Sequence, residues 1–326
     1  MKCPNCNRNH KYSEGMVCSC GYHFVFNPKR DQFSDGKFAT AVNRAGNNGT
    51  YVFTKNQLYT SFLRTREEHI GCLIVMLSIA VIAAIVGLAA GIPQLAFPAL
   101  FVAVVSLLMF LKAKKSPITS RRKFDAFLSR WLAQNKIPNL IEQPQMFQSP
   151  PNWPEPDIYN YGVDKILVVQ HDLLVDLLVK NNFHAEQACL VVSVNHYPQY
   201  IWQRAEAILQ GQAPTNVFIL HDATTPGLRA AERFKASHSP LLAGNTILDL
   251  GLFPGDANKM PILGALKLEK ESMNVPVDVM PYAYLQGLLS QSMQEGIPFH
   301  TALIYRDKSN TDGDSGYDSD SGGSYG

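Results

Sequence analysis

Four of the six cysteines fall within the first twenty residues, as Cys3, Cys6, Cys18 and Cys20 inside the segments CPNC and CSCGY. Thiolates at such spacing on a tight turn reach one tetrahedral Zn²⁺ at bonds of roughly 2.3 Å, and a second turn supplies the other pair. Four protein ligands leave no position for water, so an ion held this way is structural rather than catalytic. A second set of chemically able residues lies far downstream, where three apolar runs each end in a histidine: His171 before Asp172, His196 after Asn195 and His221 before Asp222. Imidazole beside carboxylate suits metal ligation or proton transfer. His171, His196, His221 and Asp222 are therefore the candidate catalytic residues, with Asp249 at the end of a fourth apolar run. The alternative is that strand ends are polar for solvation alone.

The cysteine pattern resembles the zinc ribbon, a broad family of small β modules with two cysteine knuckles, over residues 1–26. The resemblance implies a structural Zn²⁺ and leaves the role open, because zinc ribbons bind nucleic acid, protein or nothing. One departure is the second knuckle, where a single residue, Ser19, separates Cys18 from Cys20. His10 or His23 is the alternative ligand if both cysteines cannot reach. A segment this short has no core of its own, so metal binding would supply folding free energy on the order of 10 kcal/mol. Disulfide pairing is the competing use of the thiols, and a reducing compartment disfavours it.

The histidines need a frame to position them, and residues 158–306 read as an α/β domain. Lys165 to Gln170, Cys189 to Val194 and Val217 to Leu220 are short β-rich apolar runs, followed by helical stretches near Leu173 to Lys180, Tyr200 to Gln210 and Leu228 to Ala236. Apolar runs without alternation suit strands covered on both faces, which predicts a mostly parallel sheet. Thr246 to Leu250 is expected as a fourth strand, Tyr282 to Met293 as a helix and Thr301 to Tyr305 as a last strand. Ligands of such sheets bind beyond the carboxyl ends of the strands, where the histidines fall. The segment Asp222, Ala223, Thr224, Thr225, Pro226, Gly227 resembles the DxDxxG signature of the Toprim fold, over about residues 165–235. That family holds Mg²⁺ on a glutamate and paired aspartates. This chain has Gln170 and Thr224 at two of those places, which implies a site that is degenerate or rebuilt around histidine, since Mg²⁺ requires hard oxygen ligands.

Between the two modules, Ile70 to Leu111 runs forty-two residues without a charge, with Lys112, Lys114 and Lys115 after it. A membrane-spanning helix needs about 20 mainly apolar residues. The run divides at Gly91, Ile92, Pro93, Gln94, which predicts a transmembrane hairpin with spans near 70–90 and 95–111. Basic residues flank both ends, so the expected location is integral to a membrane with two spans and both termini cytoplasmic. Residues 27–68 are expected as a small helical linker region, with Thr54 capping a helix from Lys55. The segment 120–135 reads as a basic amphipathic helix that lies in the headgroup region or packs on its own domain. Residues 136–157 form a Pro-rich linker, and residues 307–326 an acidic tail expected to be disordered.

With 326 residues, 46% hydrophobic content and a net charge of +2, the chain is expected to be a multi-domain membrane protein: zinc ribbon, transmembrane hairpin and cytoplasmic α/β domain with a mostly parallel sheet. Near-neutral charge gives no argument for nucleic acid. The expected partners are the lipid bilayer and a protein, with any small-molecule ligand unidentified. No phosphate-cradling glycine loop or Gly-x-Ser-x-Gly turn is present in the sequence, which lowers the standing of nucleotide hydrolysis and esterase chemistry. Two functions remain: an anchored, noncatalytic scaffold or sensor, and, as the alternative, an anchored metal-assisted hydrolase or phosphodiesterase.

Overall fold

The structure, a computed structural model, describes residues 1–31, 33–89, 102, 104–105, 107, 121–148, 163–211, 213–253 and 275–303. The chain divides into two compact units, one dominated by Met1–Gln143 and joined by Asp278–Tyr282, the other containing Pro144–Gly264, Leu268–Val277 and Ala283–Gly326.

The first unit begins with two loops closed by antiparallel bridges, Lys2 with Asn9 and Val17 with His23. Helices α1 (Pro28–Asp31) and α2 (Asp35–Ala45) follow, then strand β1 (Phe53–Thr54) and helix α3 (Lys55–Ala89). The start of α3 is a reciprocal cap. Gln57 N–H donates to Thr54 Oγ1 at 3.3 Å, and Thr54 N–H donates to Gln57 Oε1 at 3.0 Å, which satisfies two of the orphan donors of a first turn. Helix α4 (Arg121–Leu132) buries Phe124, Leu128 and Trp131. Phe38 meets Trp131 with ring centroids 4.7 Å apart, and Phe33 meets Phe62 at 4.8 Å, so an aromatic cluster from α2, α3 and α4 forms this core. The aromatic face of α4 thus packs on its own unit. Strand β2 (Leu140–Ile141) pairs parallel with β1, Phe53 opposite Leu140.

Among the described residues, no helix is long and apolar enough to cross a membrane. This overturns the expected multi-domain membrane architecture with a hairpin over 70–111, and with it the integral, two-span location with both termini cytoplasmic. The physical reason lies in where the helix begins. The charge-free run does not start an element at Ile70; it continues α3, whose opening turns from Lys55 are polar and bury Leu58, Phe62 and Leu63 in the aromatic core. Ile79, Val81, Ile82, Ile85 and Val86 on this helix are exposed. The second expected span, 95–111, lies outside the described residues except for 102, 104, 105 and 107. The acidic tail and most of the Pro-rich linker beyond residue 148 also lie outside them.

The second unit is an α/β fold around four parallel strands, β3 (Lys165–Val169), β4 (Cys189–Ser193), β5 (Asn216–Leu220) and β6 (Thr246–Asp249), in the order β4-β3-β5-β6. Leu167 sits opposite both Val191 and Phe218. Val and Ile at these positions suit a pleated surface packed on both sides. The connecting helices are α5 (Asp172–Lys180), α6 (Phe183–Glu186), α7 (Gln199–Leu209), α8 (Thr225–Ser237) and α9 (Ser239–Leu242). One sheet face, with Ile166, Val168, Leu190, Val192, Val217 and Ile219, packs against Ile201, Trp202, Ala205 and Leu209 of α7 and Ala231 and Phe234 of α8. A final long helix, α10, spans Tyr282–Glu295. Residues 301–303, expected in a strand, are helical. Pro298 is the reason: its carbonyl accepts the N–H groups of Thr301 and Ala302 at 2.9 and 3.2 Å, and proline is well suited to a first helical turn.

Candidate functional site

Cys3, Cys6, Cys18 and Cys20 bring one sulfur each within 4.8 Å of one another and could together hold a metal ion. Cys3 Sγ lies 3.6 Å from Cys20 Sγ, and Cys6 Sγ lies 3.7 Å from Cys18 Sγ. A disulfide would require about 2.05 Å. Four bonds of about 2.3 Å to a central tetrahedral ion place the sulfurs roughly 3.8 Å apart, close to the observed edges. The donor set therefore fits a closed tetrahedral site.

Backbone geometry explains how unequal spacers serve the same purpose. In the first turn Cys3 N–H donates to the Arg8 carbonyl at 3.0 Å, and in the second Cys18 N–H donates to the Tyr22 carbonyl at 2.8 Å. The second loop is one residue shorter. Each is reversed by a left-handed residue directly after its second cysteine, Asn7 at φ 57° and Gly21 at φ 86°, conformations that Asn and Gly tolerate best. His10 and His23 are not among the grouped ligands. His10 Nε2 instead lies 2.9 Å from the Gly15 carbonyl, with its ring stacked on Phe24.

The thiols have divergent acidities. Burial pushes Cys3 up to about 11, while the Arg8 backbone N–H and then its guanidinium pull Cys6 down to about 6. Cys18 is also lowered, first by the Cys20 backbone N–H. A fixed cation is what would let all four ionise together. Behind the cluster, buried Asp35 accepts from Tyr22 Oη at 2.8 Å, Val25 N–H at 2.8 Å and Phe26 N–H at 2.9 Å. Arg130 holds Asp31 with two bonds of 2.9 and 3.0 Å. These contacts fix the cysteine module to the aromatic core; Asp35 and Arg130 carry no sequence signature that would single them out.

The second unit has its own focus. From β3 the chain turns to β4 on one side, and from β5 it turns to β6 on the other, so the crevice beyond the carboxyl ends of β3 and β5 is the topological switch point. His171 and Asp222 meet there, Nε2 to Oδ2 at 2.9 Å. Asp222 is buried; its Oδ1 accepts from Val277 N–H at 2.8 Å, and its own N–H donates to Gln170 Oε1 at 2.9 Å. Thr224 caps α8 by accepting from Gly227 N–H at 2.9 Å. A Cβ on Gly227 would lie 2.6 Å from the Asp222 carbonyl oxygen and 2.7 Å from Gln170 Oε1, so glycine is needed for this close approach. Beside the crevice, Asp172 Oδ1 accepts from Ser193 Oγ at 2.6 Å and Asn195 Nδ2 at 3.1 Å, tying the ends of β3 and β4.

The other two candidate histidines have separate partners. His196 Nε2 lies 3.0 Å from His238 Nε2. His221 is buried, with Nδ1 2.9 Å from the Asp222 carbonyl and Nε2 3.2 Å from Asp249 Oδ1, within ion-pair reach though off hydrogen-bond alignment. Burial alone would lower the His221 imidazole, but Asp249 and the Asp222 carbonyl outweigh it and hold it above its ordinary value. Asp249 is lowered: burial opposes this, and His221 and Lys235 prevail. Among the described residues, the cysteine cluster is the one group of three or more His, Cys, Asp or Glu side chains able to share an ion. His238, Lys235 and Gly251 around these histidines are too far along the chain for spacing to have revealed them. No family model, curated protein or solved structure matches this chain.

Proposed function

We propose that the protein is a noncatalytic scaffold or sensor, whose N-terminal module is held by a structural Zn²⁺ and whose α/β unit binds a small ligand or a protein segment in the β3/β5 crevice. The observation that carries this reading is the state of Asp222. Both of its carboxylate oxygens are engaged, one by Val277 N–H and one by His171. Asp222 is buried, and each of its oxygens already takes a protein partner, so its place suits orienting His171 and bracing the crevice. His171, by contrast, keeps 57% of its side chain exposed at the mouth with its ring oriented by Asp222, as suits recognition. Zinc is supported by the all-sulfur donor set, since soft thiolates select it over Mg²⁺ or Ca²⁺.

Two measurements on the intact chain test the reading. Metal analysis should find one tightly held zinc, absent from the Cys6→Ser, Cys18→Ser double variant; zinc retained there would overturn the assignment. Thermal-shift screening against phosphate- and carboxylate-bearing small molecules and short peptides should return stabilising ligands whose effect disappears in His171→Ala. Metal-dependent phosphodiester hydrolysis that disappears in the same variant would overturn the noncatalytic reading.

A further inference from the structure

A pair of nitrogen donors stands apart from both sites above. His196 Nε2 and His238 Nε2 lie 3.0 Å apart, and each ring is held from behind. His238 Nδ1 is 3.0 Å from the Phe234 carbonyl oxygen. Ser237 Oγ lies 2.9 Å from the same nitrogen and itself donates to the Phe234 carbonyl at 3.2 Å, so an Nδ1–H satisfies both oxygens and leaves the Nε2 lone pair aimed at His196. His238 stacks on Phe234 with ring centroids 4.4 Å apart, and His196 stacks on Trp202 at 4.1 Å. His196 also adopts a left-handed backbone at φ 61°, a conformation costing a non-glycine residue on the order of 1 kcal/mol, and such strain clusters at ligand sites.

Both rings are half-buried and reach solvent. Burial, and then the neighbouring His238, lower the His196 imidazole and keep it neutral, while Glu206 on α7 adds nearby negative charge. An imidazole whose Nδ1–H is anchored to a backbone carbonyl, as in His238, presents its Nε2 as a metal ligand. With bonds of about 2.0 Å, two nitrogens 3.0 Å apart subtend an angle of about 95° at a shared ion. That is nearer the right angle of a tetragonal site than a tetrahedral angle.

We propose that His196 and His238 form a surface site for a divalent late transition ion of the Cu²⁺ or Ni²⁺ type, with water or an external ligand completing the coordination. It shares no ligand with the cysteine cluster or with the His171–Asp222 pair. On binding, His196 gives up its Nε2 proton to solvent and takes one up at Nδ1, so both Nε2 lone pairs face the ion and no net proton is released. Imidazole suits these metals, and they tolerate right-angle nitrogen pairs better than Zn²⁺ does.

The test is titration of NiCl₂ into the intact, zinc-loaded chain, followed by calorimetry and tryptophan emission. One equivalent of nickel should bind. Emission should fall by no more than one tryptophan's share of the three present, because Trp202 stacks on a ligand ring, and excess imidazole should restore it. His196→Asn and His238→Asn should each weaken binding by at least about tenfold, with unchanged circular dichroism. No heat below about 1 mM nickel, binding without quenching in the unsubstituted chain, or undiminished binding in both variants would each overturn the proposal.

Discussion

At the N-terminus four sulfurs converge to within 4.8 Å, with the Arg8 guanidinium on Cys6, whereas at the carboxyl ends of the strands these carboxylates have their own partners: Asp222 with His171, Asp249 with His221 and Lys235, Asp172 with Ser193 and Asn195. The first arrangement brings like ionisable groups together and is one that a metal ion could complete. The second is already satisfied and contributes to stability without any additive. A cluster of like ionisable groups therefore suits a metal, while a set of matched pairs is satisfied without one.

The contrast breaks most sharply through metal removal. Stripping zinc with a chelator, or Cys6→Ser, should unfold residues 1–26, a loss on the order of 10 kcal/mol of metal-coupled folding. Limited proteolysis should then cleave near the module while the α/β unit stays resistant. If the module survives stripping, the two regions do not differ in the way described. Next in size is Gly251→Ala. Its Cβ would sit 1.8 Å from His221 Nε2, on a ring with a side chain only 2% exposed, and displacing that ring should cost about 1–3 kcal/mol in urea unfolding of the intact chain. An unchanged midpoint would show that the pair is not rigid.

The smallest effect is on pH dependence. The folded value of His221 is raised above its ordinary 6.5, so its contribution is full below that value and fades as pH climbs through the folded one. Asp249 is depressed from 3.8, so its contribution is present above that value and is lost as pH drops through the folded one. His221 should thus favour the fold more near pH 6 than near pH 8, against the opposite pull of His196, whose imidazole is lowered, and His221→Gln should shift the balance toward greater stability at the higher pH. A pH dependence that survives the substitution unchanged would assign it elsewhere.

Much of this was legible in the residues. The runs KILVV, CLVVS and NVFIL are strands because their β-branched and large apolar side chains are buried on a doubly covered sheet, and the helices between them follow from their spacing. Thr54 read correctly as a cap, because a cap is a local signal. The cysteine spacing foretold proximity, even with the shortened second turn. Pairings set by tertiary approach were not legible: nothing near His196 announces His238, forty-two positions away, and nothing near Tyr22 marks Asp35 as its buried acceptor. The long charge-free run misled for a related reason. Composition does not say where a helix begins, and α3 begins at Lys55, anchored by Leu58 and Phe62 among aromatic neighbours.

The short parallel pairing of β1 with β2 carries a consequence of its own. Phe53 and Leu140 are neighbours across two rungs, so the polypeptide departs and comes home at adjacent points after an excursion of more than eighty residues. Asn139 Nδ2 fastens the return by donating to the carbonyls of Gly49 and Tyr51 at 2.9 and 3.1 Å. Closing a longer loop costs only about 0.6 kcal/mol per doubling of its length, so the number of residues between the two rungs weighs little on whether the buckle stays shut.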